Sequence, residues 1–97
     1  MVRHIVMIKL NKNVDNKVVA AKLKVMLEQL QLTINSLIKI EVGINFSIKS
    51  SAYDVVLTAD FNNEQGLDEY RVHPEHVKVL DYLKIVMDKA TVVDYKN

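Results

Sequence analysis

Two alternating runs decide the fold: Ile38-Lys39-Ile40-Glu41-Val42-Gly43-Ile44-Asn45-Phe46 and Tyr53-Asp54-Val55-Val56-Leu57-Thr58-Ala59-Asp60-Phe61. In each, apolar and other side chains alternate with a period of two, so each is a strand with one buried face. Only the polar stretch Ser47–Ser51 separates them, which is too short for a crossover helix. The two strands are therefore antiparallel neighbours joined by a loop.

Working outward, Val2 to Leu10 reads as a further strand, with Val2, His4, Val6, Ile8 and Leu10 on one face and Arg3, Ile5, Met7 and Lys9 on the other. After a polar break carrying the N-cap candidates Asn13 and Asp15, Val19, Leu23, Met26, Leu27 and Leu30 recur at helical spacing, and this helix is expected to end near Gln31. Beyond Phe61, Asn62 and Asn63 cap a short helix carrying Leu67 and Tyr70. Pro74 cannot continue that helix but suits the first turn of another, whose expected buried stripe is Val77, Leu80, Leu83 and Met87. His73, before the proline, is placed to cap the new helix and set the break. Thr91 to Tyr95 is the expected fourth strand.

The order β-α-β-β-α-β, with its second helix broken at Pro74, predicts an α+β, ferredoxin-like fold: one four-stranded antiparallel sheet with helices on one face, in a single domain over residues 1–97. The other sheet face then shows Ile5, Met7 and Val56 at its middle and Arg3, Lys9, Lys39, Glu41, Asp54 and Asp60 around them. An apolar centre inside a charged rim is the anatomy of an interface. A domain this small gains buried area by pairing. The expectation is a homodimer in which two such faces stack into a barrel.

Composition narrows the function classes. Hydrophobic residues are 49% and charged residues 26%, which is globular rather than disordered. A formal charge of +1 supplies no field for nucleic acid or acidic lipid, and the open sheet face lacks the aromatic pair that stacks bases, so no nucleic-acid or membrane partner is expected. Apolar runs are far shorter than a membrane span, no signal-peptide pattern is visible, and cysteine is absent, so a cytoplasmic location is expected.

The chemistry-bearing residues gather in Tyr70-Arg71-Val72-His73-Pro74-Glu75-His76-Val77, with His4 on an apolar strand face. Histidines in apolar surroundings are the raw material of acid–base and binding sites. His76 is the candidate base, Tyr70 the candidate donor to a developing oxyanion and His4 an orienting group. The competing explanation is structural: both histidines are satisfied by backbone carbonyls or by Tyr70 and pin the break to the sheet. His73, His76 and His4 offer three ring nitrogens, but no Asp or Glu is seen to orient them, and neither a metal nor a cofactor is expected.

Val2-Arg3-His4-Ile5-Val6, Glu41-Val42-Gly43, Ala52-Tyr53-Asp54-Val55-Val56-Leu57, Glu69-Tyr70, His73-Pro74-Glu75-His76-Val77 and Val93-Asp94-Tyr95 form an ordered set. Together they resemble the stress-responsive A/B barrel (Dabb) family over essentially the whole chain. The resemblance implies a ferredoxin-like fold and a dimeric barrel, and no single activity. A well-defined chemistry in that family is the aldol-type ring closure of olivetolic acid cyclase. Its tyrosine and histidine around the His-Pro-x-His segment match Tyr70 and His76, and its first-strand histidine matches His4. Where that enzyme has a third-strand histidine, this chain has Val55, so one polar group is missing. Plant members also hold magnesium through backbone carbonyls near the segment that is here Gln31 to Leu37. Three readings stand at this level: a binder of a small apolar or aromatic ligand at His4, Val55, Tyr70 and His76; a cofactor-free enzyme, cyclase-like or monooxygenase-like, using Tyr70, His76 and His4; and a structural stress-protective protein without ligand.

Overall fold

The computed structural model describes residues 1–97. The chain runs β1 (Val2–Leu10), α1 (Asn16–Glu28), α2 (Leu30–Thr33), β2 (Lys39–Ile44), β3 (Val55–Phe61), α3 (Glu64–Val72), α4 (Pro74–Val86) and β4 (Met87–Lys96). The strands form one antiparallel sheet in the order β2-β3-β1-β4, the expected ferredoxin-like arrangement, with β2 and β3 adjacent as read from the sequence.

Local chemistry sets the element boundaries. Asp15 caps α1 by accepting from the Val18 N–H, and Asn63 caps α3 by accepting from the Gly66 N–H at 2.9 Å. His73 ends α3 and caps α4, its Nδ1 accepting from the Glu75 N–H at 3.1 Å, with Pro74 as the first helical residue. The first helix does not run unbroken to Gln31: it stops at Glu28, and a separate one-turn helix, Leu30–Thr33, follows.

A single cluster lies between sheet and helices, with Ile8, Leu23, Leu27, Ile34, Val42, Val55, Phe61 and Tyr70 the largest side chains sealed inside. The pleat delivers it as alternation requires: Val2, His4, Ile8 and Leu10 point inward on β1, and Val55, Leu57, Ala59 and Phe61 on β3.

Three expectations need correction. β2 is shorter than the alternation suggests, because the Asn45 N–H pairs with the Asp54 carbonyl and closes the ladder there; Ile38 lies outside the strand, and Phe46 is 98% exposed. The buried line of α4 is Val79, Leu83 and Val86, while Val77 and Leu80 are exposed and Met87 opens β4. The reason is the neighbour: α4 packs on α1, where Lys22 sits 4.3 Å over the Tyr82 ring, and this turns its buried side toward α1. β4 starts at Met87 rather than Thr91, directly off α4, with a register shift where Lys9 and Leu10 pair with Lys89 and Met87. The helix layer stops short of this edge strand, so even Val92, on the helix side by pairing with Val6, is 52% exposed.

Leu27→Ala, at a sealed core site, should destabilise the protein by about 2–5 kcal/mol in urea unfolding. Leu32→Ala, at an exposed site on α2, should change it by less than about 0.5 kcal/mol. Equal effects would contradict this core assignment.

Candidate functional site

Alternation carries His4 to the inner face of β1, flanked by Ala59 on β3 and Asp94 on β4. The last turn of α3 lays Tyr70 over the same face, fully buried, its ring 5.2 Å from that of Phe61 and 6.1 Å edge-on from that of His4. The His73-Pro74 break folds α4 back, so that the half-buried His76 ring stacks at 4.2 Å on Tyr70. His4, Tyr70 and His76 are therefore brought together, with the tyrosine in the middle.

The protonation states follow from the surroundings. His76 Nδ1 lies 3.2 Å from the Arg71 carbonyl, an acceptor only, so Nδ1 carries the proton and donates. Burial holds the His76 ring below the ordinary histidine range, and the nearby His4 and His73 push the same way. In the neutral ring, Nε2 keeps its lone pair. Burial alone pushes the Tyr70 phenol well above its usual range, so it stays a protonated donor. Its hydroxyl is sealed from solvent and has no hydrogen-bond partner within the chain. Buried hydroxyls are seldom left so.

Asp94 is the residue that sequence reasoning missed. No carboxylate was expected beside the histidines, yet Asp94 Oδ1 accepts a hydrogen bond from His4 Nδ1 and fixes that ring. Its Oδ2 accepts from Arg71 Nη2 at 2.9 Å, and Arg71 Nη1 reaches Asp68 at 3.1 Å. A cleft of about 330 Å³ between α3 and β4, lined by Leu67, Arg71, Asp94 and Tyr95 among others, opens onto this relay. The missing signal was pairing: Asp94 lies in the closing motif Val93-Asp94-Tyr95, but only the antiparallel register of β1 with β4 sets it opposite His4.

Val55 is not with the other three. It is sealed in the core between Ile8 and Ile44 in register, four positions along β3 from Ala59, or roughly 14 Å at ~3.4 Å per residue. His73 is spent on the α4 cap.

On the outer sheet face, Ile5, Met7 and Val56 do come together: Met7 pairs directly with Val56, and Ile5 lies between Thr58 and Val93. Met7 and Val56 are exposed, as is Val93 beside them. At one end Arg3 grips Asp60 across the strands at 2.8 and 3.2 Å, which holds the Asp60 carboxyl below the usual carboxylate range.

The sequence matches the family described as Stress responsive A/B Barrel Domain over residues 2–97. A dimeric protein of unknown function and ferredoxin-like fold from Bacteroides fragilis is 32% identical, with a TM-score of 0.90 over 99% of this chain and 95% of that one. A dimeric ferredoxin-like protein of unknown function from Thermobifida fusca is 24% identical, with a TM-score of 0.86 over 99% and 90%. The hydroxynitrile lyase of Passiflora edulis shares the fold at 14% identity, with a TM-score of 0.82 over 97% and 90%. No curated protein sequence matches.

The depressed His76 pKa has a pH signature. The unfolded ring takes its proton first as pH falls, so His76's contribution to stability is whole above about 6.5 and is lost below it. The thermal midpoint of the wild type should therefore fall more steeply from pH 7 to pH 5 than that of His76→Phe, which keeps the stack on Tyr70. Parallel profiles would show that the ring is not held neutral.

Proposed function

Because the chain belongs to the stress-responsive A/B barrel domain family, we propose that it is a homodimer that binds a small, largely apolar or aromatic molecule between sheet and helices. The ligand's polar atom sits at Tyr70, His76 and His4; Val55, sealed in the core farther along β3, lies outside this site. The observation that carries the reading is the Tyr70 hydroxyl, buried without a partner on a ring whose neighbours are those of His4 and His76. A buried donor left unpaired costs about 1–3 kcal/mol, and a carbonyl or hydroxyl oxygen from a ligand removes that cost. His76 Nε2, with Nδ1 tied to Arg71, is left as a free acceptor on the ring packed against Tyr70.

Pairing of two chains through the outer sheet face is supported by the apolar centre of Ile5, Met7 and Val56. The dimeric Bacteroides fragilis relative supports pairing of two chains. A cytoplasmic, single-domain protein is the setting we infer.

A second reading has its own support. A neutral histidine with a defined free nitrogen, stacked on a protonated tyrosine, is a base–donor pair. Such a pair can remove a proton beside a carbonyl at His76 Nε2 while the Tyr70 hydroxyl stabilises the oxygen that becomes negative. Asp94, through His4, then acts as a positioning residue.

Tyr70→Phe should leave the thermal midpoint unchanged or raise it, since the hydroxyl has no partner to lose. It should also weaken binding of small aromatic carbonyl probes such as 4-hydroxybenzaldehyde by roughly tenfold, about the worth of one hydrogen bond. Histidine side-chain NMR shifts would report both. A large loss of stability, or no shift in the wild type with any such probe, rejects the binding site.

Charge placed on the open face by Met7→Asp with Val56→Asp should leave a folded 11.1 kDa monomer in sedimentation velocity. A dimer that survives both changes would place its interface elsewhere.

A further inference from the structure

We propose that the loop between β2 and β3 is a clasp that seats on a second copy of this chain, with Phe46 and Ile48 as its anchors. The inference rests on the sheet-to-sheet dimer and deepens it by naming a segment that completes the interface. Phe46 is 98% exposed and Ile48 101%. One exposed apolar residue is ordinary, but two large ones on one short arm beside an apolar sheet face extend that face into a larger patch.

The arm is built rather than loose. At its mouth the Asn45 N–H donates to the Asp54 carbonyl at 2.9 Å, and the Asp54 N–H donates to the Ile8 carbonyl at 2.8 Å. Lys9 Nζ donates to the Ala52 carbonyl at 2.7 Å, tying the far limb to β1. Within the arm, the Ser47 N–H donates to Asn45 Oδ1 at 3.0 Å, and the Lys49 N–H donates to Ser47 Oγ at 3.2 Å. A segment ordered in advance loses less entropy when it docks.

Position names the occupant. Phe46 lines an apolar hollow of about 330 Å³ on the outer face together with Met7, Gly43 and Val56. Gly43 keeps the hollow open, because a Cβ there would lie 3.1 Å from Val56 Cγ1. Two of these residues, Met7 and Val56, are the centre of the dimer face, so arm and interface are one continuous patch. Stacked sheets lie ~10 Å apart, and the four steps from Ile44 to Ile48 span at most ~13 Å, so the arm is long enough to bridge to a facing sheet. A formal charge of +1, with a single lysine on the arm, gives an acidic lipid surface little to attract.

The test is a Phe46→Ser, Ile48→Ser double variant followed by sedimentation velocity across a dilution series. Both side chains are exposed, so the circular dichroism spectrum should match wild type. The dimer dissociation constant should rise about 100-fold. If the wild type is a dimer and the double variant dissociates no more readily, the clasp is wrong and the sheet dimer stands; a Met7→Asp, Val56→Asp control that dissociates confirms that division. A monomeric wild type removes both. Wild-type protein that sediments with phosphatidylcholine–phosphatidylserine vesicles, when the double variant does not, would overturn a second copy as the occupant in favour of lipid.

Discussion

Everything at the candidate site depends on β1 being hydrogen-bonded on both edges, to β3 and to β4. A strand held on both sides cannot slip by one residue without turning its whole buried set outward. That constraint keeps Val2, Ile8 and Leu10 in the core, and it also fixes His4 at one point on the inner face with Asp94 beside it. The same lock presents Ile5 and Met7 on the opposite face. One register thus aims a titratable group inward and an apolar centre outward.

The second constraint is the interruption at His73-Pro74. Without it α3 would run on as a straight rod, and Tyr70 and His76, six residues apart, would lie on different sides of it. The proline and the His73 cap force a new axis, and the fold-back stacks the two rings. Both Tyr70 and His76 then sit in an apolar setting that keeps each neutral, for one cause: burial disfavours the charged form whichever sign it would carry. Asp94 and Arg71 are the opposite case, a charge-assisted chain leading from the α3–β4 cleft to the His4 ring. A neutral stacked pair beside a polar relay is the chemical character of the site.

How much of this could be read in advance differs residue by residue. His4, Tyr70 and His76 were legible because each carries a local signal: a polar ring on an apolar strand face, or a place beside a helix-breaking proline. The cap role of His73 was legible for the same reason. Asp94 was not, because its partner lies 90 residues away and nothing local separates it from a surface aspartate. The stripe of α4 was misread because a helical period identifies an apolar side but not which neighbours receive it; packing buried Val79, Leu83 and Val86 and left Val77 and Leu80 open. Phe46 was misread because alternation continues past the point where hydrogen bonds close the ladder.

What the amino-acid order determined by itself was the periodic part: four strands, the helical segments, the short polar stretches that hold their caps, the break at His73-Pro74, and the two faces of each of the first three strands. These depend on neighbours two to four residues apart, whose spacing is written along the chain. What only the tertiary structure decided was the meeting of distant groups: Asp94 on His4, His76 on Tyr70, the stranding of the Tyr70 hydroxyl, and the bare edge of β4 beyond the helix layer. Those follow from register and helix packing, where one residue of slip or a modest rotation about an axis exchanges every contact while leaving each local pattern as it was.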